Sequence, residues 1–123
     1  MEADNNFTQA EEFKVKGNEF FKHAKFAEAV EFYTKAIDTH SDSPKAAPYY
    51  TNRAMSHLKM ENYGLALEDA KTSIRLDPSF VKGYYREGSA HLALGKIEEA
   101  RDSFKKVKKT KKYERKVILS VRF

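Results

Sequence analysis

Cysteine is absent from the 123-residue chain. Its absence removes a disulfide framework, a thiolate metal site and a thiol nucleophile. Glycine and proline are scarce, at five and three residues, which excludes a collagen-like or low-complexity polymer. No run approaches the roughly 18 uninterrupted apolar residues of a membrane span. The first residues, MEADNNFTQAEEF, are acidic and lack an apolar run, so neither a secretory leader nor a basic transit peptide is expected there. Nothing matches a nucleophile elbow, a phosphate loop or a dinucleotide fingerprint, so an enzyme in its own right is not expected. The four histidines, His23, His40, His57 and His91, show no zinc spacing, and neither a metal nor another cofactor is expected.

What is present suits one small packed domain. Hydrophobic residues make up 41% and charged residues 33%, a balance that supports a modest core. The formal net charge of +5 is unevenly spread. Residues 101–123 hold ten Lys and Arg against Asp102 and Glu114, a local balance of +8, which leaves −3 for residues 1–100. Glu11-Glu12 and Glu98-Glu99 look like solvated helix starts, where carboxylates favour the helix dipole.

The chain repeats itself. Gly17 to Ala54 is 37 residues and Ala54 to Gly88 is 34; Ala29 to Ala66 is again 37 and Ala66 to Ala100 again 34. Two independent landmarks with the same spacings define three repeats, each read as a pair of helices. The three additional residues of the first interval fall in the Ser- and Pro-containing stretch His40–Pro48, where a loop tolerates insertion. Small residues at Gly17, Ala54 and Gly88, and at Ala29, Ala66 and Ala100, mark places where helices approach closely. Phe20, Tyr33, Tyr63 and Phe104 fill the wider gaps. The periodicity predicts helices over residues 8–22, 26–40, 46–59, 63–76, 80–93 and 97–109, with turns at His23–Phe26, Met60–Tyr63 and Gly95–Ile97. Stacking lets each pair bury a face that it could not bury alone.

Over residues 7–110 this pattern resembles the tetratricopeptide repeat (TPR) family, whose helix–turn–helix unit repeats about every 34 residues. The segment YYTNRAMSHLKMENYGLALEDAKTSIRLDPSFVKGYYREGSAHLALGK is similar in particular to the N-terminal TPR domains of type 5 serine/threonine protein phosphatases. The resemblance implies an all-α solenoid of three helix–turn–helix repeats, preceded by a tail over residues 1–6. Residues 111–123 would be a basic tail or a capping helix. Tyr113, Val117, Ile118 and Val121 have near-helical spacing, but KVILSVRF is rich in β-branched residues and suits an extended chain equally.

In a solenoid of this kind the first helix of each pair lines the inner face. Lys14 and Asn18 are four apart and share a helical face, as do Lys82 and Arg86. Asn52 and Arg86 hold the same phase in consecutive repeats, and Lys59 lies two turns beyond Asn52. Cations and amides converging on one groove suit an anion with several acceptor oxygens, most simply a peptide bearing carboxylates. Solvated surface charge is the alternative for each lysine taken singly.

The resemblance narrows the choice. In TPR domains that bind chaperone tails, a carboxylate clamp occupies the positions of Lys14, Asn18, Asn52, Lys82 and Arg86, and in the phosphatase relatives a further basic residue corresponds to Lys59. It implies binding of the C-terminal Glu-Glu-Val-Asp tail of cytosolic heat-shock protein 90 or 70, as a co-chaperone or targeting domain. Lys14, Asn18 and Asn52 would hold the chain-end carboxylate, and Lys82 and Arg86 the terminal Asp side chain and nearby groups. Phe21, Ala54 and Leu58 would either pack on the tail's valine or belong to the core between helices. By the same resemblance the chain would be a cytoplasmic monomer, with the nucleus as a second location, and would correspond to the regulatory part of a phosphatase without its catalytic domain. The rival functions are binding of nucleic acid or an acidic surface through the basic tail, and a scaffold whose groove takes another peptide.

Overall fold

The computed structural model describes residues 2–108. The chain runs through α1 (Glu2–Lys22), α2 (Phe26–Thr39), a 3-10 turn (Pro44–Ala46), α3 (Ala47–Lys59), α4 (Tyr63–Leu76), α5 (Val81–Ala93) and α6 (Ile97–Lys108). Among the described residues there is no strand. Each odd helix packs on the even helix that follows it, and α2 and α4 pack on the next pair. Because α3 also touches α1 and α5, the first helices of the three pairs form one continuous layer. This is the all-α solenoid expected from the repeat. No helix of the described residues is long and apolar enough to cross a membrane.

Apolar and small residues at helical spacing explain each buried face. On α2 the buried residues are Ala29, Tyr33, Ala36 and Ile37, a stripe at i, i+4, i+7 and i+8. Alanine dominates the interior. One cluster joins Ala10, Ala36, Ile37, Ala46 and Tyr49; another joins Ala54, Ala66 and Ala90. Small side chains bring backbones close, and the few large ones fill what remains.

The repeat shows in the turns as well. Ala24, Glu61 and Gly95 occupy one phase, and all three have left-handed backbone, with φ of 59°, 62° and 78°. After each, a backbone N–H reaches back to the final helical turn: Lys25 to Phe20 O at 2.9 Å, Asn62 to His57 O at 2.8 Å, Lys96 to His91 O at 2.8 Å. This hydrogen bond, from the residue after a left-handed one, closes the helix and turns the chain. Only the third turn uses glycine, the residue that adopts this geometry without steric cost.

Two differences from the sequence expectation stand out. α1 begins at Glu2 rather than near residue 8, so residues 2–6 are helical and not a tail. The longer helix is held from outside: Phe7 meets the His40 ring edge-on at 5.3 Å, and Lys45 lies 4.8 Å over the Phe7 ring. His40 in turn contacts the Ser43 hydroxyl at 2.8 Å, so the inserted loop is the surface on which the extra turn rests. The stretch entering α3 forms the short 3-10 turn, capped where the Ser43 side chain accepts from the Lys45 N–H. The remaining described boundaries agree within a residue. The proposed cap at residues 111–123 lies outside the described residues.

Inside each pair, two contacts recur with different residues. In the first, Gly17 faces Tyr33 and Gly88 faces Phe104 so closely that a Cβ on either glycine would lie 2.5 Å from the ring. The second repeat places Ala54 and Ala70, both fully buried, at these two positions, dividing the volume evenly. In the second contact, Lys16 lies 5.9 Å over the Phe32 ring, Arg53 pairs with Asp69 at 2.7 Å, and the Ser103 hydroxyl donates to Glu87 at 2.7 Å. One place in the fold carries three chemistries.

Candidate functional site

Lys14, Asn18, Asn52, Lys59, Lys82 and Arg86 all lie on α1, α3 or α5, the helices of the shared layer. The structure joins two of them directly. Asn52 Nδ2 donates to Asn18 Oδ1 at 3.3 Å across the boundary between the first and second repeats. The Tyr33 hydroxyl donates to the same oxygen at 2.6 Å. Burial pushes the Tyr33 hydroxyl up to about 12, so it remains a donor at neutral pH.

Lys14 is already engaged. Its ammonium lies 2.9 Å from Glu11 Oε1, and the other oxygen of Glu11 accepts from the Tyr49 hydroxyl at 2.7 Å. Glu11 is therefore no solvated helix start; it sits more than two turns into α1 and is half-buried against α3. Burial opposes its charge, but hydrogen bonds from Tyr49 and Lys14 and the nearby cations outweigh that and hold its pKa below the ordinary value. Glu98 and Glu99 do occupy the first turn of α6.

Lys59, Lys82 and Arg86 make no ion pair among the described residues. Lys59 and Lys82 are exposed, whereas Arg86 is partly buried, its guanidinium 5.3 Å from the Tyr85 ring. Its Nε is buried and has no acceptor among the described residues, and loss of solvent lowers its pKa. The other buried side-chain atoms without a partner there belong to His57, Ser73 and His91. Arg86 is the permanent cation of that group. A partly buried guanidinium with no anion among the described residues has its charge uncompensated there.

The apolar candidates divide. Ala54 is fully buried between Ala66 and Ala90, so it offers no surface to a ligand. Its small size serves the close approach of the helices. Phe21 packs edge-on against Phe26 at 5.2 Å and Leu58 leans on the Ala54 cluster; both keep part of their surface in solvent.

Sequence reasoning missed three contributors. Tyr33 was expected only as filler, Glu11 only as solvated charge, and Tyr49 carried no expectation. The Tyr33 and Tyr49 hydroxyls find their partners 15 and 38 residues away, where a target has no local signature, whereas Glu11 and Lys14, three apart on α1, have a spacing that the sequence does display. A comparison of phase contained a hint: Tyr33 corresponds to Ala70 and Phe104, so its hydroxyl is not demanded by packing.

Elsewhere, a cavity of about 330 Å³ opens between α2, α3 and α4. On its polar wall Arg53 and Asp69 satisfy each other, whereas His57 Nδ1 has no partner among the described residues. Arg53 donates from Nε and NH2 to the two oxygens of Asp69 at 2.8 and 2.7 Å, and from NH1 to Thr34 at 3.1 Å. Among the described residues no cluster of His and carboxylates could hold a metal.

Comparison with known proteins agrees with this architecture. The tetratricopeptide repeat family matches residues 51–114. Human serine/threonine-protein phosphatase 5 is 39% identical over 92% of the chain, and human DnaJ homolog subfamily C member 7 is 45% identical over 80% of it. The chain spans 22% and 19% of those two proteins, about a fifth of their length. Among solved structures, the second TPR of Spaghetti (RPAP3) bound to HSP90 peptide SRMEEVD superposes with a TM-score of 0.81 at 37% identity, covering 90% of this chain and all of that one. The second TPR domain of human RPAP3 in complex with HSP70 peptide SGPTIEEVD gives 0.80 at 37% identity, covering 86% of each chain.

Proposed function

The chain belongs to the tetratricopeptide repeat family, and on that premise we propose that it binds the acidic Glu-Glu-Val-Asp chain end of heat-shock protein 90 or heat-shock protein 70. Lys14, Asn18 and Asn52 hold the chain-end carboxylate; Lys82 and Arg86, with Lys59 beside them, take the terminal Asp side chain and neighbouring acidic groups. Phe21 and Leu58 line the path of the valine. The observation that carries this reading is Arg86, a cation withdrawn from water whose Nε has no partner among the described residues. The contact between Asn18 and Asn52, which gathers amide donors at the junction of two repeats, supports it. So do the solved relatives holding peptides that end in EEVD.

Charge-assisted hydrogen bonds of this kind contribute about 1.5–3 kcal/mol each. Ordering a flexible tail offsets much of the sum. Lys14 must also be shared with, or released from, Glu11. The affinity is accordingly modest and falls with salt. The chain acts through binding, as a co-chaperone or targeting domain, and, given its phosphatase relatives, it corresponds to their regulatory portion. This ligand places it in the cytoplasm, with the nucleus as a second location.

The test is a titration with a peptide ending in Glu-Glu-Val-Asp and with the same peptide amidated at its C-terminus. Binding at least about tenfold weaker for the amide is expected, since one charge-assisted contact is worth that much. Equal binding of the two overturns the proposal and favours attraction by the basic tail or recognition of another peptide.

A further inference from the structure

Resting on that reading of the groove, we propose that the buried Tyr33 hydroxyl is a positioning residue: it fixes the Asn18 amide with its NH2 group toward the ligand's chain-end carboxylate. Tyr33 is 2% exposed and lies on α2, behind the layer that carries the binding side chains. Its ring fills the space opposite Gly17, and Phe104 fills the matching space opposite Gly88 with equally close contact and no hydroxyl. Packing at this place is therefore complete without the oxygen atom.

What the oxygen does is visible in its one hydrogen bond, to Asn18 Oδ1 at 2.6 Å. Asn52 Nδ2 donates to the same Oδ1 at 3.3 Å. A primary amide has an acceptor end and a donor end, and its NH2 carries two N–H groups. With two donors converging on Oδ1, Asn18 satisfies its oxygen within the protein and leaves its N–H groups for a partner. The reversed amide would set NH2 against the NH2 of Asn52 and turn an oxygen toward an incoming carboxylate, two unfavourable contacts in exchange for two favourable ones. A hydroxyl can also accept, so the Asn52 NH2 sets which end of the amide faces inward. The Tyr33 hydroxyl, 2.6 Å from Oδ1, holds the side chain in that orientation before the ligand arrives, so that less freedom is lost on binding.

Tyr33→Phe deletes the hydroxyl and keeps the ring. With the chain-end-acid peptide its affinity should fall about fivefold, the worth of one oriented hydrogen bond. The residual binding of the amidated peptide should stay where it was. In a double-mutant cycle, Tyr33→Phe should have no effect once Asn18→Ala is present, because its action passes through that amide. Additive losses, or equal losses for both peptides, would mark a merely structural tyrosine and overturn the proposal. A readout on the unmodified chain guards against a folding defect: the Asn18 side-chain NH2 resonances should shift with the acid peptide and not with the amide. If they do not move, the proposal also fails. The parent reading fails separately, when the unmodified protein does not distinguish acid from amide. If it does distinguish them and Tyr33→Phe binds as tightly as the parent, only the positioning role is lost.

Discussion

Arg53 and Arg86 stand on the first helices of consecutive repeats, one residue out of phase, both partly withdrawn from water. The second repeat surrounds its arginine: Asp69 meets it with both oxygens, Thr34 takes a third N–H, and hydrogen bonding to Asp69 raises the Arg53 pKa. The third repeat leaves Arg86 without a carboxylate among the described residues, and burial lowers its pKa. Where the phase of Arg53 recurs, the residue is Glu87, which accepts from Ser103 and so does not neutralise Arg86's neighbourhood by an ion pair. The difference separates two uses of one residue type. A partly buried charge whose partners are internal belongs to the fold, and one without an internal partner is the one proposed here to meet a ligand.

The comparison can be broken most forcefully at Asp69. Asp69→Ala strands Arg53 in a low-dielectric setting, and chemical denaturation should show a loss of about 3 kcal/mol. Peptide affinity of the folded fraction should stay unchanged; a loss under 1 kcal/mol, on the order of a solvent-exposed pair, would show that Arg53 is no structural element. Arg86→Ala is the mirror image. It should weaken the acid-ended peptide at least about tenfold, or 1.4 kcal/mol, while the unfolding midpoint holds or rises. A drop in stability with intact binding would reverse the assignment.

A smaller effect tests how the repeats share volume. Gly88→Ala pushes a methyl into Phe104, and the net cost should be about 1 kcal/mol, overpacking exceeding the gain in helix propensity. In a Phe104→Ala background the same change should stabilise, since the pair then matches Ala54 and Ala70. Thermal melts of the four chains read the sign. The smallest effect is on pH. His57, 3.8 Å from Asp69, has a pKa lowered from its ordinary 6.5 by burial, against the pull of Asp69. The unfolded chain therefore takes up the proton first, and stability should fall as pH drops through 6.5 toward the lower folded value. His57→Phe, which borrows Phe20 from the same phase of the first repeat, should flatten that slope.

The fold was legible because steric demands repeat. Gly17, Ala54 and Gly88 answer one requirement for closeness, and spacing alone exposes them. The binding face was partly legible: the spacing of Lys14 to Asn18 and of Lys82 to Arg86 assigns faces, but not what holds the side chains. Tyr33, Glu11 and Tyr49 escaped because their roles depend on polar atoms meeting across helices, and polar partners, unlike small residues, differ from repeat to repeat. The length of α1 escaped for a related reason, since Phe7 depends on His40 and Lys45, residues of an insertion that the other repeats lack.

The place where Lys16 faces Phe32, Arg53 faces Asp69 and Glu87 faces Ser103 has a consequence for how the chain finds its own register. Three hairpins of like backbone in one polypeptide raise the question of exchange of halves during folding. If α5 were to seize α4 as its partner, Glu87 would confront Asp69, carboxylate against carboxylate; if α3 took α2, Arg53 would lose its counter-charge to a phenyl ring. The small-residue contact opposes both swaps as well, since Ala54 would set a Cβ against Tyr33 where glycine stands, and Gly88 against Ala70 would leave a gap. The three unlike contacts act as a keyed lock between halves, so that the sequential order of the hairpins is written into their interiors as well as into the connecting loops.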